Sequence, residues 1–177
     1  MNTKVQNALR QMLLAESLNE LKQLYRAFAL EFHPDHGGSE EAMKAINIEF
    51  TRLFAILKDR QNKEANRAHD AGNWASYSTT TETPEEFIDI ISRLDQIKGI
   101  IVELCGRWLW ISGNTKDNRE ALKACGCRWS TNKKMWYWRH EEDFCKKHSS
   151  STRDIEEIRA IYGSQRFTRQ GFAVMAV

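Results

Sequence analysis

Apolar residues in the N-terminal part of the chain recur in three segments with the 3.6-residue period of amphipathic helices. Ser17 and Glu20 form a capping box that predicts the start of the second helix. Pro34 disfavours helical geometry at the residue before it and predicts the end of that helix. Ser39, which two glutamates follow, predicts the start of the third helix. The pattern therefore predicts a short first helix and then an antiparallel pair of helices joined by a loop.

The period of the apolar positions changes after Gly99 from 3.6 to about 2 residues, which is typical of strands. Before this region, the Ser/Thr-rich stretch 73–83 predicts a linker, and Pro84 predicts the first turn of a new helix. Residues 172–177 could form an edge strand. The other predicted strands are Ile100–Cys105, Trp108–Ser112, Cys127–Ser130 and Met135–Arg139, and further helices are predicted at Lys116–Cys125 and Asp154–Tyr162.

These elements predict a chain of the α+β class with two domains. Residues 1–70 form an all-α domain with a helical hairpin as its core, and residues 71–83 form the linker. Residues 84–177 form a small α+β domain with a mainly antiparallel sheet. A length of 177 residues suffices for two small domains.

The composition excludes several classes of protein. No apolar run approaches the ~18 residues that a membrane helix needs, and the first ten residues lack the apolar centre of a signal peptide. We therefore expect a cytoplasmic protein. The sequence contains no phosphate-binding loop, nucleophile elbow or paired acid motif. We therefore expect neither an enzyme nor a protein that needs a cofactor.

The tripeptide His33-Pro34-Asp35 is the first candidate functional motif, and it lies in the predicted loop between two helices. Pro34 fixes the backbone so that the flanking side chains point outward. His33 can donate or accept a hydrogen bond, and Asp35 can pair with a cation on a partner. The alternative is an ordinary helix-hairpin turn in which Asp35 and His36 only solvate the loop.

Residues 21–35 resemble helix two and the loop of a J-domain, the module that switches on the ATPase of DnaK-type chaperones. Residues 36–53 resemble helix three, and their Gly-Gly pair is similar to the J-domains of polyomavirus T antigens and of small phage- or plasmid-type J-proteins. The resemblance covers about residues 5–65. The chaperone-binding residues that it implies are His33, Pro34, Asp35, Lys22 and Arg26.

The second helix departs from the family pattern in its charges. J-domains usually carry a run of basic residues on the exposed face of this helix. Lys22 and Arg26 remain here, one turn apart, whereas Gln23, Ala27 and Glu31 stand where basic residues are common. Weakened electrostatic attraction should lower the association rate first. Neither a Gly/Phe-rich linker nor CxxCxGxG zinc repeats follow, so the architecture resembles the third class of J-proteins, in which a J-domain is fused to a targeting module.

Five of the six tryptophans lie in the basic segment Arg107–Arg139, which contains eight basic and two acidic residues. Aromatic rings on a sheet with cations around them can hold single-stranded nucleic acid, because bases stack on the rings while the cations neutralise phosphates. The alternative is that most of these rings form the core of a small domain. The candidate nucleic-acid-binding residues are Trp108, Trp110, Arg128, Lys133, Lys134, Trp136 and Trp138.

The same region, from Gly113 to Tyr137, loosely resembles the small β-α-β-β modules of plasmid primases and the HARP module of annealing helicases, and both families work on DNA. A zinc site is a further alternative, but its spacing lacks the paired knuckles typical of structural zinc sites, so we predict no metal site. The ligands of that alternative are Cys125, Cys127, Cys145 and either His140 or His148.

Three functional hypotheses follow from the sequence. The first is a J-domain co-chaperone that recruits and stimulates a DnaK-type chaperone toward a client chosen by the C-terminal domain. The second is a nucleic-acid-binding accessory protein of a phage or mobile element, with a secondary J-domain. The third is an inhibitor that uses its J-domain as a decoy. The expected partners are a DnaK-type chaperone, a protein client and, in the second hypothesis, single-stranded nucleic acid, but not a membrane.

Overall fold

The computed structural model describes residues 3–70, 79–141, 154–162 and 165–167, and the chain forms two compact units, Met1–Ile88 and Asp89–Val177. The helices are α1 (Thr3–Leu13), α2 (Leu18–Phe32), α3 (Glu40–Asp70), α4 (Pro84–Asp95), α5 (Arg119–Ala124) and α6 (Ile155–Tyr162). The strands are β1 (Ile100–Cys105), β2 (Trp108–Gly113), β3 (Arg128–Ser130), β4 (Met135–Trp138) and β5 (Gln165–Phe167). The described residues confirm the α+β class, with α1 to α3 in the first unit and all these strands in the second.

The ends of α2 confirm the local predictions. The Ser17 hydroxyl accepts a hydrogen bond from the backbone N–H of Glu20 at 3.1 Å, and the Glu20 carboxylate accepts one from the backbone N–H of Glu16 at 2.9 Å. The helix ends at Phe32 because His33, which precedes Pro34, adopts an extended conformation with φ −64° and ψ 137°. These local signals determine where α2 begins and where the chain turns toward α3.

The core of the N-terminal unit is centred on the ring of Tyr25 in α2. Its centroid lies 4.1 Å from that of Phe50 in α3 and 6.1 Å from that of Phe87 in α4. The Tyr25 hydroxyl donates a hydrogen bond to Asn47 Oδ1 at 3.0 Å, and burial raises the pKa of this hydroxyl. These contacts hold α2 and α3 side by side in the predicted antiparallel hairpin.

The structure corrects the predicted boundary of the first domain, because the chain packs against α3 from Thr80 onward. The amide of Asn62 donates to the Thr80 carbonyl at 3.0 Å and accepts from the Thr80 N–H at 2.8 Å. The ammonium of Lys58 donates to the carbonyls of Thr81 at 2.9 Å and Glu82 at 2.7 Å. The N-terminal unit therefore extends to Ile88 rather than ending at residue 70. Most of the predicted linker, residues 71–78, lies outside the described residues.

A buried ion pair fixes the same segment to α2. The ammonium of Lys22 pairs with the carboxylate of Glu82, and both side chains are almost fully buried. The ammonium also lies 4.9 Å from the centroid of the Phe87 ring and 5.7 Å from that of Phe54. Two rings and one carboxylate therefore surround a lysine of α2 within the N-terminal unit.

The strands of the C-terminal unit form one antiparallel sheet in the order β3-β4-β2-β1-β5. Side chains alternate between the two faces along a strand, and cross-strand partners share a face. Trp110 lies opposite Glu103 on β1 and opposite Tyr137 on β4, and Tyr137 lies opposite Arg128 on β3. We call this side of the sheet, which also carries Trp108, the aromatic face.

The other side of the sheet is the core face. Val102, Ile111 and Trp136 occupy successive cross-strand positions on it and are buried, and Trp129 continues the row on β3. The fifth strand, β5, pairs with β1, whereas the edge strand predicted at 172–177 lies outside the described residues.

Helix α6 is fixed to the aromatic face at β1. The guanidinium of Arg159 donates two hydrogen bonds to the carboxylate of Glu103, from Nε at 2.6 Å and from Nη2 at 2.7 Å. This bidentate bond to Glu103 raises the pKa of the Arg159 guanidinium.

Within the described ranges, no helix combines the length and the apolar character needed to cross a membrane.

The buried ion pair generates a prediction for stability. The substitution Glu82→Ala leaves the Lys22 ammonium buried without its carboxylate, so the free energy of unfolding should fall by about 3–5 kcal/mol. The matched control is Glu49→Ala, which removes a carboxylate whose partner Arg52 is exposed, and its effect should be small. Chemical denaturation of both variants, followed by the helical circular dichroism signal, measures the difference. Equal losses would contradict the structural role of the pair.

Candidate functional site

The loop between α2 and α3 is a short turn that backbone hydrogen bonds hold in place. Residues Pro34–His36 form one turn of 3-10 helix. The carbonyl of His33 accepts hydrogen bonds from the N–H groups of His36 and Gly38, each at 3.0 Å, and the carbonyl of Pro34 accepts one from Gly37 at 3.0 Å. The N–H of His33 donates to the Ala29 carbonyl at 3.0 Å. The backbone of the tripeptide is therefore fixed at both ends.

The His33 and Asp35 side chains are oriented within this turn. His33 Nδ1 accepts a hydrogen bond from the backbone N–H of Asp35 at 3.2 Å and lies 3.6 Å from the Asp35 carboxylate. An Nδ1 that accepts places the proton of a neutral imidazole on Nε2, which then serves as a donor. The Asp35 side chain is 64% exposed and that of His33 is 28% exposed. The loop thus presents one carboxylate and one imidazole on a fixed backbone.

The Gly-Gly pair after the tripeptide has a steric cause. Gly37 has φ +88°, in the left-handed region that favours glycine. A Cβ at Gly38 would lie 2.0 Å from the carbonyl oxygen of Phe32, so this position has no room for any side chain. The glycines let the chain turn back tightly against the end of α2, which keeps the preceding tripeptide at the tip of the hairpin.

The two basic residues expected on the exposed face of α2 are buried, and this expectation is wrong. Lys22 is 2% exposed and Arg26 is 5% exposed. Lys22 is held by Glu82, a residue 60 positions later in the chain. The exposed acidic residue Glu31 lies close to the loop on the same helix. Of the five chaperone-binding residues expected, Pro34 and Asp35 are exposed and His33 is partly exposed, whereas the two on α2 are buried.

The structure divides the candidate nucleic-acid-binding residues between the two faces of the sheet. Trp108, Trp110 and Arg128 belong to the aromatic face. Trp136 and Trp138 alternate with Tyr137 and therefore belong to the core face, so the candidate residues do not share one surface. Trp136 is buried, and the half-buried Trp138 lies beside Gly126, two residues after the end of α5.

The lysine pair of the candidate surface lies in the turn between β3 and β4. The N–H of Lys133 donates to the Ser130 hydroxyl at 3.4 Å, and its ammonium lies 5.6 Å from the centroid of the Trp110 ring. Lys134 adopts φ +51° in the same turn and is exposed. The turn therefore directs one of the two lysines toward the aromatic face.

Three rings form a continuous cluster on the aromatic face. The Trp108 centroid lies 5.2 Å from that of Tyr137 and 5.6 Å from that of Trp110, with interplanar angles of 23° in both pairs. The guanidinium of Arg139 lies 5.4 Å from the Trp108 centroid. Sequence reasoning missed Tyr137 and Arg139. The alternation of the Trp-Tyr-Trp run was the available signal, since it separates Tyr137 from its two tryptophan neighbours.

Two ligands of the zinc alternative, Cys125 and Cys127, are among the described residues of the C-terminal unit. Burial raises the pKa of the Cys127 thiol to about 12, and burial is also the main cause that raises the pKa of Cys125. No group of three metal-binding side chains within the described residues includes a cysteine. Two ligands of the alternative, Cys145 and His148, lie outside those residues.

The two glycines of the loop generate a second stability prediction. The substitution Gly38→Ala forces its Cβ into the Phe32 carbonyl, whereas Gly37→Ala meets open space and bears only the strain of its positive φ. We expect a loss of about 1–2 kcal/mol for Gly37→Ala and a larger loss for Gly38→Ala. Denaturation of the two variants tests this order, and a smaller loss for Gly38→Ala would contradict the tight turn.

Comparisons with protein-family models, with curated proteins and with solved structures find no match to this chain. The functional interpretation therefore depends on the residues themselves, on the fixed His33-Pro34-Asp35 turn and on the aromatic face.

Proposed function

We propose that the protein is a J-domain co-chaperone that recruits a DnaK-type chaperone and stimulates its ATPase toward a client selected by the C-terminal unit. The observation that carries the proposal is the presentation of His33, Pro34 and Asp35 in one fixed turn between two antiparallel helices. A DnaK-type partner also favours a cytoplasmic location.

The geometry of the loop suits a docking contact. Asp35 offers an exposed carboxylate, which can form a charge-assisted hydrogen bond with an arginine or lysine of the partner. His33 offers an Nε2 donor, because its Nδ1 already accepts from the backbone of the loop. A fixed loop loses little conformational entropy on binding, so each contact contributes more to affinity than it would on a mobile loop.

The burial of Lys22 and Arg26 changes the electrostatics of the proposed contact. Buried cations contribute little to long-range attraction, since Lys22 is already neutralised by Glu82. The association rate should therefore depend only weakly on salt, and the specificity of binding should come from the loop. A loop that binds the chaperone without triggering ATP hydrolysis would correspond to the decoy hypothesis. Measuring ATP hydrolysis distinguishes this decoy from a co-chaperone.

The prediction for this function concerns steady-state ATP hydrolysis by a DnaK-type chaperone. The full chain should raise the rate, and His33→Gln or Asp35→Asn should abolish the increase while the helical circular dichroism spectrum stays unchanged. Each substitution removes the charge or the donor geometry of one side chain but keeps its approximate size. The matched control is His36→Gln, which changes the neighbouring histidine of the same turn and should preserve stimulation.

Two outcomes would count against the proposal. Equal stimulation by the wild type, His33→Gln and Asp35→Asn would show that the loop is not the contact. Tight binding of the wild type without any stimulation would replace the co-chaperone with the decoy inhibitor.

A further inference from the structure

The aromatic face combines accessible rings with positive charge. Trp108 and Tyr137 are stacked and half-buried, so part of each ring reaches the surface. Trp110 is 2% exposed, and its ring contacts both the Trp108 ring and the Lys133 ammonium. The surface that a ligand can reach is therefore the Trp108–Tyr137 pair rather than the whole cluster.

Basic side chains lie over or beside these rings. The charged groups of Arg139 and Lys133 lie within 5.4 Å and 5.6 Å of the Trp108 and Trp110 centroids. Arg128 lies directly opposite Tyr137 on the next strand, and its side chain is 60% exposed. Arg139 and Arg128 therefore lie beside the Trp108–Tyr137 pair, and Lys133 lies beside the neighbouring ring of Trp110.

Two carboxylates described on this face, Glu103 and Glu141, already have basic partners. Glu103 is buried, and the bidentate bond to Arg159 neutralises it. Glu141 lies 3.8 Å from Arg128, but both side chains are mostly exposed, and water weakens such a contact. Arg128 therefore keeps an exposed guanidinium that a phosphate can reach, and the cations beside the rings favour a polyanion.

We propose that the aromatic face binds single-stranded nucleic acid, with bases stacked on Trp108 and Tyr137 and phosphates neutralised by Arg128, Lys133 and Arg139. Stacking on a protein ring needs a base whose own face is free, which single strands offer and paired bases in a duplex do not. A polyanion without bases would use the cations but leave the rings unused. The proposal goes beyond the co-chaperone function and uses no residue of the His33-Pro34-Asp35 loop.

The core face supplies a matched control. Trp129 is 47% exposed and stands on β3 next to Arg128, but its side chain points to the opposite face, where it packs edge-on against Trp136 at 5.8 Å. The substitution Trp129→Ala removes a tryptophan ring at the same edge of the sheet and leaves the residues of the proposed site unchanged. It therefore separates a specific face from a general attraction to exposed rings.

The test is fluorescence anisotropy of a short labelled oligothymidylate, and of the matching oligouridylate, titrated with the full chain at low salt. Tyr137→Ala should weaken binding about five- to 100-fold because it removes one stacking ring. Tyr137→Phe keeps the ring and should retain the wild-type affinity, as should the control Trp129→Ala. The ratio of the two oligonucleotide affinities tells whether DNA or RNA is preferred.

The charges are tested separately, because a substitution in the ring cluster can also disturb folding. Arg128→Glu changes an exposed side chain and should weaken binding while the near-ultraviolet circular dichroism spectrum stays unchanged. Replacing Arg128 and Lys133 together with alanine should reduce the slope of log affinity against log salt by up to about 1.4, if both contact phosphates of a single strand.

Three results would overturn the proposal. The first is flat anisotropy at low salt with both oligonucleotides. The second is an equal loss of affinity for Trp129→Ala and Tyr137→Ala. The third is that heparin or duplex DNA competes as effectively as the single strand. Such competition by heparin would identify a surface for polyanions in general, and by duplex DNA a surface that also binds double strands. None of these results bears on stimulation of a chaperone, so the two proposals fail independently.

Discussion

The contact of the Tyr25 ring with Phe50 and Phe87 is the interaction on which the N-terminal unit depends. It joins α2, α3 and the start of α4 around one buried ring, and the Tyr25 hydroxyl fixes the alignment of α2 with α3 through Asn47. Once the two long helices are aligned in this way, the chain must reverse within a few residues. Pro34 and the Gly-Gly pair make that short reversal possible.

The burial of Lys22 links this core to the proposed function. A lysine that pairs with Glu82 inside the unit stabilises the attachment of the segment 80–88, and it is not available to a partner at the same time. The recruiting chemistry is then concentrated in His33 and Asp35 at the tip of the hairpin. If both proposals hold, the protein would bring a DnaK-type chaperone to clients assembled on nucleic acid.

Local signals in the sequence predicted much of the fold. The Ser17 cap, the stop before Pro34 and the change of period after Gly99 all depend on neighbouring residues, and the structure confirms them. The same local reasoning placed Lys22 on a surface, because its partner Glu82 is 60 residues away and no periodicity reveals such a pair. One signal was present, since Lys22 follows Leu21 and precedes Tyr25 by one turn, which puts it within the apolar stripe.

The sheet shows the same limit. Alternation along a strand correctly placed Trp108 and Trp110 on one face of β2, and Trp136 and Trp138 on one face of β4. It could not tell whether these two pairs lie on the same side of the sheet. That assignment needs the register between strands, which places Tyr137 opposite Trp110 and Trp136 opposite Ile111. The candidate surface therefore lost two tryptophans and gained Tyr137 and Arg139 only when the pairing was known.

Amide hydrogen exchange of the full chain, with and without an ATP-bound DnaK-type chaperone, tests most directly whether the His33-Pro34-Asp35 turn is the docking surface. The account predicts that binding slows exchange in the peptides that cover residues 30–40, and that His33→Gln removes this protection. Protection confined to residues 100–141, or protection of the loop that persists in His33→Gln, would contradict it.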